Sequence, residues 1–348
     1  MTNSSQNAKQ IRETVPGMDL AGAASQADLL EAALARVLAC PGCRGRLALD
    51  PHRESLRCAG CGAAVPLVEG IPVFTEEGSG LQVEEKAFRN RAASKEMRQS
   101  AGDLLKGIAK HYSVPLMAGY ALDFRRRFSR EDWLLDMGTG YSWHWKDAPP
   151  GPRVIGIDMS LGNLLLANRL LGDRGRCVLL ICGDASRLPL ADRTMAGVWS
   201  VQAFQLFPEP VFQQAQQELD RVLKSNFLME FHHAHPSPFY RLLARLRGKS
   251  LYRRGRSKSF ETNWLLLSEW ESRWRLFRDG CFTVSRGYSE LFFHPELHIR
   301  PRPYPSRLER LLSRWAPMLV SLFARQRYLR LESRSSGNLS HAVETVST

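Results

Sequence analysis

The feature that most limits the possible folds of this 348-residue chain is an alternation of apolar strands and helical segments that begins at Trp133. The stretches LLDMG, RVIGIDM, VLLICGD, AGVWSV and FLMEF are predicted strands. Between them, apolar residues recur at helical spacing, for example over residues 161–171 and 210–223. This alternation is typical of a parallel sheet with helices on both faces. We therefore predict an α/β fold with a Rossmann-like, mostly parallel sheet.

Two CxxC pairs precede this region. Fourteen residues separate Cys40 and Cys43 from Cys58 and Cys61, and each pair has a glycine that allows a tight turn. Four thiolates at this spacing predict a closed, tetrahedral and structural Zn²⁺ site, with thiol redox chemistry as the alternative. The short strands around the pairs bury little surface, so the metal supplies much of their folding energy. We expect its loss to unfold this small domain and to leave the larger one cooperative.

The residues around the cysteines carry a family resemblance. The stretches LACPGCRGRL and LRCAGCGAAVPLVEGIPVF, within about residues 36–75, resemble the zinc-ribbon domain that activates tRNA and rRNA methyltransferases as a separate subunit. In many bacterial proteins the same domain is fused ahead of a methyltransferase. The resemblance implies a small N-terminal zinc ribbon in this chain.

Acidic and glycine residues follow three successive predicted strands. Asp136, Gly138 and Gly140 form D-x-G-x-G after the first strand, Asp158 ends the second, and Asp184 follows the third. Glycines permit positive φ and close ligand approach, and a carboxylate at the end of the next strand accepts hydrogen bonds from ribose hydroxyls. The pattern predicts a nucleoside site at the carboxyl edge of the sheet. The same glycines and Asp158 would also suit NAD.

The chain resembles the class I S-adenosylmethionine (SAM)-dependent methyltransferases, in particular the branch that includes quinone-biosynthesis C-methyltransferases. The resemblance rests on LLDMGTG, VIGIDMS, GDASRLPLADRTMAGVWSVQAFQLFPEP and ELDRVLK, with a weaker match at DGCFTVSRGYSELF. It implies that the two glycines lie under the methionine part of SAM, that Asp158 binds ribose, and that Asp184 and Ala185 flank adenine. The full set of predicted cofactor-binding residues is Asp136, Gly138, Gly140, Asp158, Met159, Asp184 and Ala185.

The glycine loop departs from the family pattern. Ser142 stands where a third glycine is common, and the stretch WKDAPPGP is expected to shorten the following helix to about two turns because prolines lack amide donors. The first amide groups of a shortened helix still face the ligand, so we expect the pocket to hold SAM. A catalytically impaired SAM-binding or scaffold protein is the alternative.

Candidate bases follow the predicted strand FLMEF. They are His232, His233, His235 and Tyr240, and a surface or capping role is the alternative for each histidine. The chain lacks the Asn/Asp-Pro-Pro-aromatic tetrad that holds planar amines in amino-methyltransferases. We therefore predict methyl transfer to an oxygen or carbon of a small-molecule or lipid-like metabolite. An RNA methyltransferase acting on rRNA or tRNA is the second candidate.

The net charge of +13 is confined to one region. Residues 241–335 hold 21 lysines and arginines against 8 acidic residues, an excess of 13, so the rest of the chain is balanced. Such a segment suggests weak contact with RNA or with an anionic membrane surface, or a solvated face without a partner. Within it, residues 308–322 have apolar side chains near helical spacing. They predict a helix that either covers the sheet, lies on lipid or faces RNA.

Five segments are expected along the chain. They are a disordered tail at 1–24, the zinc ribbon at 25–78, a helical connector or cap at 79–130, the methyltransferase domain with its basic region at 131–335, and a second tail at 336–348. The N-terminus is polar and no apolar run reaches bilayer length, so we expect a cytoplasmic protein. The sequence leaves open the methyl acceptor and the oligomeric state.

Overall fold

The computed structural model describes most of the chain between Ser25 and Arg334. Both predicted tails lie outside the described residues, as do parts of the connector and of the basic region. No described helix combines the length and the apolar character needed to cross a lipid bilayer. The described residues are 25–74, 90, 93, 96, 98–172, 176–235, 237–248, 272–274, 277–294, 297–299 and 304–334.

The N-terminal part forms one helix and a four-stranded antiparallel sheet. Helix α1 (Gln26–Leu34) begins with a capping box, in which the Ser25 side chain accepts from the Asp28 amide and the Asp28 side chain accepts from the Ser25 amide. The strands follow in sheet order β1 to β4. They are β1 (Leu47–Leu49), β2 (Ser55–Cys58), β3 (Ala64–Val68) and β4 (Ile71–Pro72).

A seven-stranded sheet forms the larger part of the molecule, in the order β10-β11-β9-β8-β5-β6-β7. All neighbours from β7 to β9 are parallel, and β11 lies antiparallel between β9 and β10. This arrangement confirms the predicted mostly parallel α/β sheet. The strands are β5 (Trp133–Met137), β6 (Arg153–Asp158), β7 (Val178–Cys182), β8 (Met195–Val201), β9 (Leu223–Ala234), β10 (Phe282–Leu291) and β11 (Ala324–Ser333).

Helices cover the large sheet and its carboxyl edge. The buried sides of β5, β6, β8 and the helices that pack on them form two large apolar clusters, one on each face of the sheet. The helices are α2 (Ala101–Ile108), α3 (Val114–Arg125), α4 (Leu161–Leu171), α5 (Glu209–Val222), α6 (Pro238–Leu246), α7 (Ser306–Trp315) and α8 (Pro317–Phe323), with 3₁₀ turns at Trp143–Trp145, Phe204–Leu206 and Phe277–Gly280.

The N-terminal part is joined to the outer edge of the large sheet at β7. The Phe74 amide donates to the Cys182 carbonyl over 2.8 Å. The Gln26 side chain donates to the Leu180 carbonyl over 3.1 Å and accepts from the Leu180 amide over 3.2 Å, as the backbone of a neighbouring strand would. Arg44 of the ribbon also pairs with Glu218 of α5 at 2.9 Å. Apolar side chains of the ribbon and of the sheet belong to one continuous buried cluster, so the two parts share a core.

The proline cluster shortens the first helix of the large domain further than predicted. A single 3₁₀ turn, Trp143–Trp145, replaces the expected two turns of α-helix. The buried Arg125 side chain of α3 donates from Nε to the Pro152 carbonyl over 2.9 Å and from Nη1 to the Pro149 carbonyl. Because the proline-rich loop is not helical, these two carbonyls have no helical amide partner, and Arg125 supplies donors to them instead.

The apolar stretch at 308–322 forms two helices instead of one. Helix α7 ends at Trp315, and α8 begins at Pro317, where a fixed φ and a missing amide suit a helix start. The expectation of a helix that buries its apolar side chains against the sheet is wrong for α7. Its leucines are exposed, and its buried residues are polar.

Candidate functional site

The predicted acidic residues meet at one edge of the large sheet. In β5 and β6, Met137 lies opposite Ile157, and in β6 and β7, Asp158 lies opposite Cys182. Asp184 follows two residues after β7. Because these strands are parallel, their carboxyl ends open onto the same side, where ligands bind in α/β sheets.

The glycine loop after β5 requires glycine at its first position. Gly138 has a φ of 68°, and a Cβ atom there would lie 2.3 Å from the Cβ of Ala203. Gly140 has a φ of 54°, with open space around its missing Cβ, and its amide donates to Asp158 Oδ2 over 2.9 Å. The loop therefore crosses the sheet edge in a conformation that L side chains rarely adopt. It leaves a cradle for a ligand.

Asp136 supports this loop from below. Its carboxylate is fully buried, and Oδ2 accepts from Trp145 Nε1 over 2.8 Å, contacts His144 Nε2 at 2.9 Å and accepts from the Thr139 hydroxyl. Ser142, in place of the usual glycine, adopts a φ of 49° and hydrogen-bonds Thr139 at 2.5 Å. These contacts hold the loop without a third glycine. His144 and Trp145 were not among the predicted site residues, because neither residue belongs to a recognisable motif or spacing in the sequence.

A cavity of about 1130 Å³ lies over this edge of the sheet. Of the seven predicted cofactor-binding residues, all except the buried Asp136 line it. Residues from the connector cover the other side, and His294 and Arg325 come from the C-terminal region. The connector residues include Leu104, Ile108, His111 and Tyr112, none of which the sequence analysis selected.

Two carboxylates in the cavity are held by backbone amides. Asp158 is half-buried, and its Oδ1 accepts from the Ser160 amide over 2.9 Å. Asp184 accepts from the Ser186 amide over 2.8 Å. Each carboxylate oxygen has two lone pairs, so a carboxylate that is oriented in this way still has acceptor capacity for hydroxyl or amine donors. Asp158 and Asp184 can therefore accept hydrogen bonds from the ribose hydroxyls and the exocyclic amine of a nucleoside.

The structure does not bring the four predicted base candidates into the cavity lining. Strand β9 continues through Ala234, beyond the predicted end at Phe231, because it pairs with β11 as far as Gln326. His232 and His233 therefore lie within the sheet and are fully buried. Burial lowers the pKa of both side chains, so both are neutral imidazoles.

His232 belongs to a buried ionic network. Its Nε2 lies 3.0 Å from Glu230 Oε1, and Arg310 and Arg330 bond the same carboxylate. Burial alone would raise the pKa of Glu230, but the charge of Arg310 and the hydrogen bond with His232 outweigh it and hold this pKa well below its usual range. This network joins β9 to β11 and α7, which is a structural role.

The remaining two candidates lie beside α8 and α6. His235 Nε2 donates to the Ser321 carbonyl over 2.9 Å, and burial lowers its pKa to about 4. The Tyr240 ring is fully buried, with its centroid 4.6 Å from that of His294. Tyr240 therefore contacts His294, which lines the cavity, but Tyr240 does not line the cavity itself.

The four cysteines of the CxxC pairs meet at one point. One ligand atom from each lies within 4.8 Å of the others, with 3.3 Å between the sulfurs of Cys43 and Cys58. A Cβ at Gly45 or Gly60 would come within 3.1 Å of a cysteine sulfur, so glycine is needed at both positions. Four sulfur donors in this closed arrangement fit structural Zn²⁺ and leave no position for a substrate. A Cβ at Gly45 would lie 3.1 Å from the Cys58 sulfur, whereas a Cβ at Gly42 would lie 3.6 Å from the Cys40 sulfur, so a side chain at Gly45 would crowd the site more.

Comparisons with known proteins agree with these two sites. Residues 134–226, which include the glycine loop and both carboxylates, match the family described as "Methyltransferase domain". A UPF0434 protein of Mannheimia succiniciproducens is 44% identical over 48 residues, which are 14% of this chain and 79% of that protein. A UPF0434 protein of Hahella chejuensis is 43% identical over 44 residues, or 13% of this chain and 73% of that protein.

The chain is a SAM-dependent methyltransferase whose N-terminal ribbon belongs to the UPF0434 family. SAM and structural Zn²⁺ are its cofactors. The NAD alternative is thereby set aside. The enzyme combines both parts in one chain, with the ribbon joined to the outer strand of the methyltransferase sheet.

Two solved structures are similar at low sequence identity. One is a complex between the Haloferax volcanii Trm112 methyltransferase activator and a putative methyltransferase, with 17% identity, a TM-score of 0.44 and coverage of 74% of this chain and 99% of that chain. The other is a SAM-dependent methyltransferase from Archaeoglobus fulgidus, with 14% identity, a TM-score of 0.45 and coverage of 66% of this chain and 99% of that chain.

Proposed function

We propose that this methyltransferase transfers a methyl group to an oxygen or carbon of a small-molecule or lipid-like metabolite. The observation that carries the proposal is that the glycine loop opens into a cavity of about 1130 Å³, whose lining combines apolar side chains with charged ones such as Lys106 and Lys110. A concave cavity of this size, with apolar side chains and a number of polar groups, suits a small-molecule or lipid-like acceptor. The apolar side chains that line the cavity include Leu104, Ile108, Trp143, Phe207 and Val211.

On the cofactor side, Asp158 would accept hydrogen bonds from the ribose hydroxyls, and Asp184 with Ala185 would lie against adenine. The backbone amides of Gly140 and Ser160 support this assignment, since they fix the positions of both carboxylate oxygens of Asp158. Gly138 and Gly140 leave room for the methionine part. SAM supplies an activated methyl group, so the chain chiefly has to align the acceptor and exclude water.

On the acceptor side, His111 and His294 are the candidate bases. Both line the cavity, and they replace the four residues predicted from the sequence. The Tyr112 hydroxyl lies 3.3 Å from Gln202 Oε1, and both residues line the same cavity, where they would orient an acceptor. A histidine suits proton removal near neutral pH if the acceptor must lose a proton.

A methyl-transfer assay separates the acceptor classes. Purified enzyme is incubated with SAM that carries a labelled methyl group and with either a lipid and small-molecule extract or a total RNA fraction. We expect label in the extract, and loss of that label in the Asp158→Ala enzyme. Label that appears in RNA and not in the extract would contradict the proposed acceptor class and favour an rRNA or tRNA methyltransferase.

A further inference from the structure

Helix α7 has its polar side inward and its apolar side outward. Ser306, Glu309 and Ser313 face the molecule and are buried. The Glu309 carboxylate accepts hydrogen bonds from the Tyr120 hydroxyl over 3.1 Å and from the Tyr304 hydroxyl over 2.7 Å. The buried side of α7 is therefore fixed by hydrogen bonds. A surface helix of a soluble domain ordinarily has the opposite arrangement.

The outward side of α7 joins two other helices in one apolar surface. Rings link α8 with α6, since the centroid of Phe323 in α8 lies 4.9 Å from that of Phe239 in α6 and 5.2 Å from that of Phe292. Helix α7 continues into α8 with one residue between them. Phe292 is half exposed. We name this surface the apolar helix face. Its six most exposed side chains are Leu242 (58%), Leu246 (76%), Leu311 (53%), Trp315 (78%), Met318 (85%) and Leu319 (59%).

Arginines accompany these apolar side chains. Arg241 and Arg245 on α6 and Arg307 and Arg314 on α7 are all exposed. They belong to residues 241–335, which hold the whole basic excess of 13. Exposed leucine, methionine and tryptophan beside arginine are typical of helices that lie in the interface of an anionic bilayer.

We propose that the apolar helix face docks the enzyme on the surface of an anionic phospholipid bilayer. The apolar side chains would enter the boundary between headgroups and acyl chains, and the four arginines would contact lipid phosphates. A second copy of the chain fits less well, because a symmetric contact would bring two sets of four arginines, all of the same charge, into one interface. RNA would satisfy the arginines and leave the apolar side chains in water.

The face also lies next to the proposed acceptor side of the cavity. Phe292 of the face is two residues from His294, and Phe323 is two residues from Arg325, and both His294 and Arg325 line the cavity. Docking would thus bring the cavity close to the bilayer, from which a lipid-like acceptor would enter. This last step rests on the proposed function, whereas the docking itself does not.

Vesicle sedimentation with the full chain tests the docking. The probes are vesicles of phosphatidylcholine alone and vesicles of phosphatidylcholine mixed with phosphatidylglycerol. We expect strong binding to the mixed vesicles and at least tenfold weaker binding to the neutral ones. The triple variant Leu246→Ser, Trp315→Ser and Met318→Ser should bind the mixed vesicles at least tenfold less. The double variant Arg241→Glu and Arg245→Glu should lose binding to a similar extent.

Two control variants match these changes away from the face. Val284→Ser removes an apolar side chain that is 46% exposed on β10, and Arg57→Glu reverses an exposed charge on the ribbon, across the large sheet. Both controls should bind vesicles like the unaltered enzyme. SAM binding, measured by calorimetry on every variant, checks that each is folded.

Three outcomes would overturn the docking proposal. The first is unaltered binding by the apolar triple variant. The second is a dimer in light scattering that the triple variant dissociates, without vesicle binding by the unaltered enzyme. The third is a salt-resistant RNA complex without vesicle binding. In each case intact SAM binding and methyl transfer to the extract would show that the proposed function stands independently.

Discussion

At the scale of single residues, Gly138 sets the course of the cofactor loop. Its missing side chain allows the loop to pass Ala203, since a Cβ would lie 2.3 Å from the Cβ of that alanine. Gly138→Ala should therefore destabilise the fold by several kcal/mol and abolish SAM binding, because both the contact and the positive φ oppose it.

Gly140→Ala is the matched control for this prediction. Gly140 also has a positive φ, but its Cβ position is open, so this variant should lose only ~1 kcal/mol. Thermal unfolding compares the stability of the two variants, and SAM binding is not the comparison because both glycines leave room for the methionine part. Equal losses in the two variants would show that the contact with Ala203 does not shape the site.

The side chain of His235 makes stability depend on pH. Burial lowers its pKa to about 4 in the folded state, from an ordinary value of 6.5, so the unfolded chain binds more protons between these values. Stability is therefore present above pH 6.5 and is lost as the pH falls toward 4. His232 and His233 act in the same direction.

Replacing His235 with glutamine isolates its contribution. Between about pH 7 and about pH 5, the unaltered enzyme should lose ~2 kcal/mol more of its unfolding free energy than the His235→Gln variant does. Urea unfolding at both pH values measures the difference. Identical losses in the two proteins would contradict the burial of this imidazole.

At the scale of structural elements, the proline-rich loop after β5 depends on a residue of α3. Arg125 supplies donors to the carbonyls of Pro149 and Pro152. A Cβ at Gly151 would lie 3.3 Å from its guanidinium group, so the loop closes tightly around it. Arg125→Met should destabilise the enzyme by about 1–3 kcal/mol for each carbonyl left without a donor.

The neighbouring Arg126→Met variant is the control for the loop. The Arg126 side chain is 70% exposed and lies 3.7 Å from Asp123, so its loss should cost less than about 1 kcal/mol. Chemical unfolding compares the two variants. A similar small loss in both would indicate that the loop holds its shape without Arg125.

Part of the fold and of the site can be predicted from local sequence patterns, and part depends on contacts between distant segments. The strands that contain Asp136 and Asp158, and the four cysteines, follow from local patterns of apolar residues, glycines and CxxC spacing, and the structure places these strands and cysteines as predicted. The true length of β9 depends on its pairing with β11, about a hundred residues later in the chain, so local pattern placed its histidines at the mouth of the site. The apolar spacing at 308–322 likewise predicted the wrong buried side for α7, because the residues that this helix buries are polar.

At the scale of the whole molecule, the ribbon and the sheet share one apolar core. Leu29 and Val37 of the N-terminal part belong to the same buried cluster as Ile155 and Leu179 of the sheet. This changes the expectation that the larger domain stays cooperative when the ribbon unfolds. Metal binding should instead stabilise the entire enzyme.

Zinc removal tests this coupling. Chelation, or Cys58→Ser, should lower the unfolding temperature of the whole enzyme in one cooperative transition. Cys281→Ser, which changes an exposed cysteine outside the cluster, should keep one zinc per chain in elemental analysis. Two well-separated unfolding transitions in the zinc-free enzyme would show that the ribbon and the sheet unfold independently.

We propose that this chain binds SAM across the glycine loop, with Asp158 holding the ribose. Isothermal titration calorimetry of SAM and its demethylated product measures it most directly. We expect micromolar binding, at least tenfold weaker in Asp158→Ala, which corresponds to about 1.4 kcal/mol. Asp147→Ala, at an acid that is 87% exposed on the adjacent loop, should bind like the unaltered enzyme. No heat with either ligand would contradict SAM binding by this chain, and equal affinity in the Asp158→Ala enzyme would contradict the role of Asp158 at the ribose.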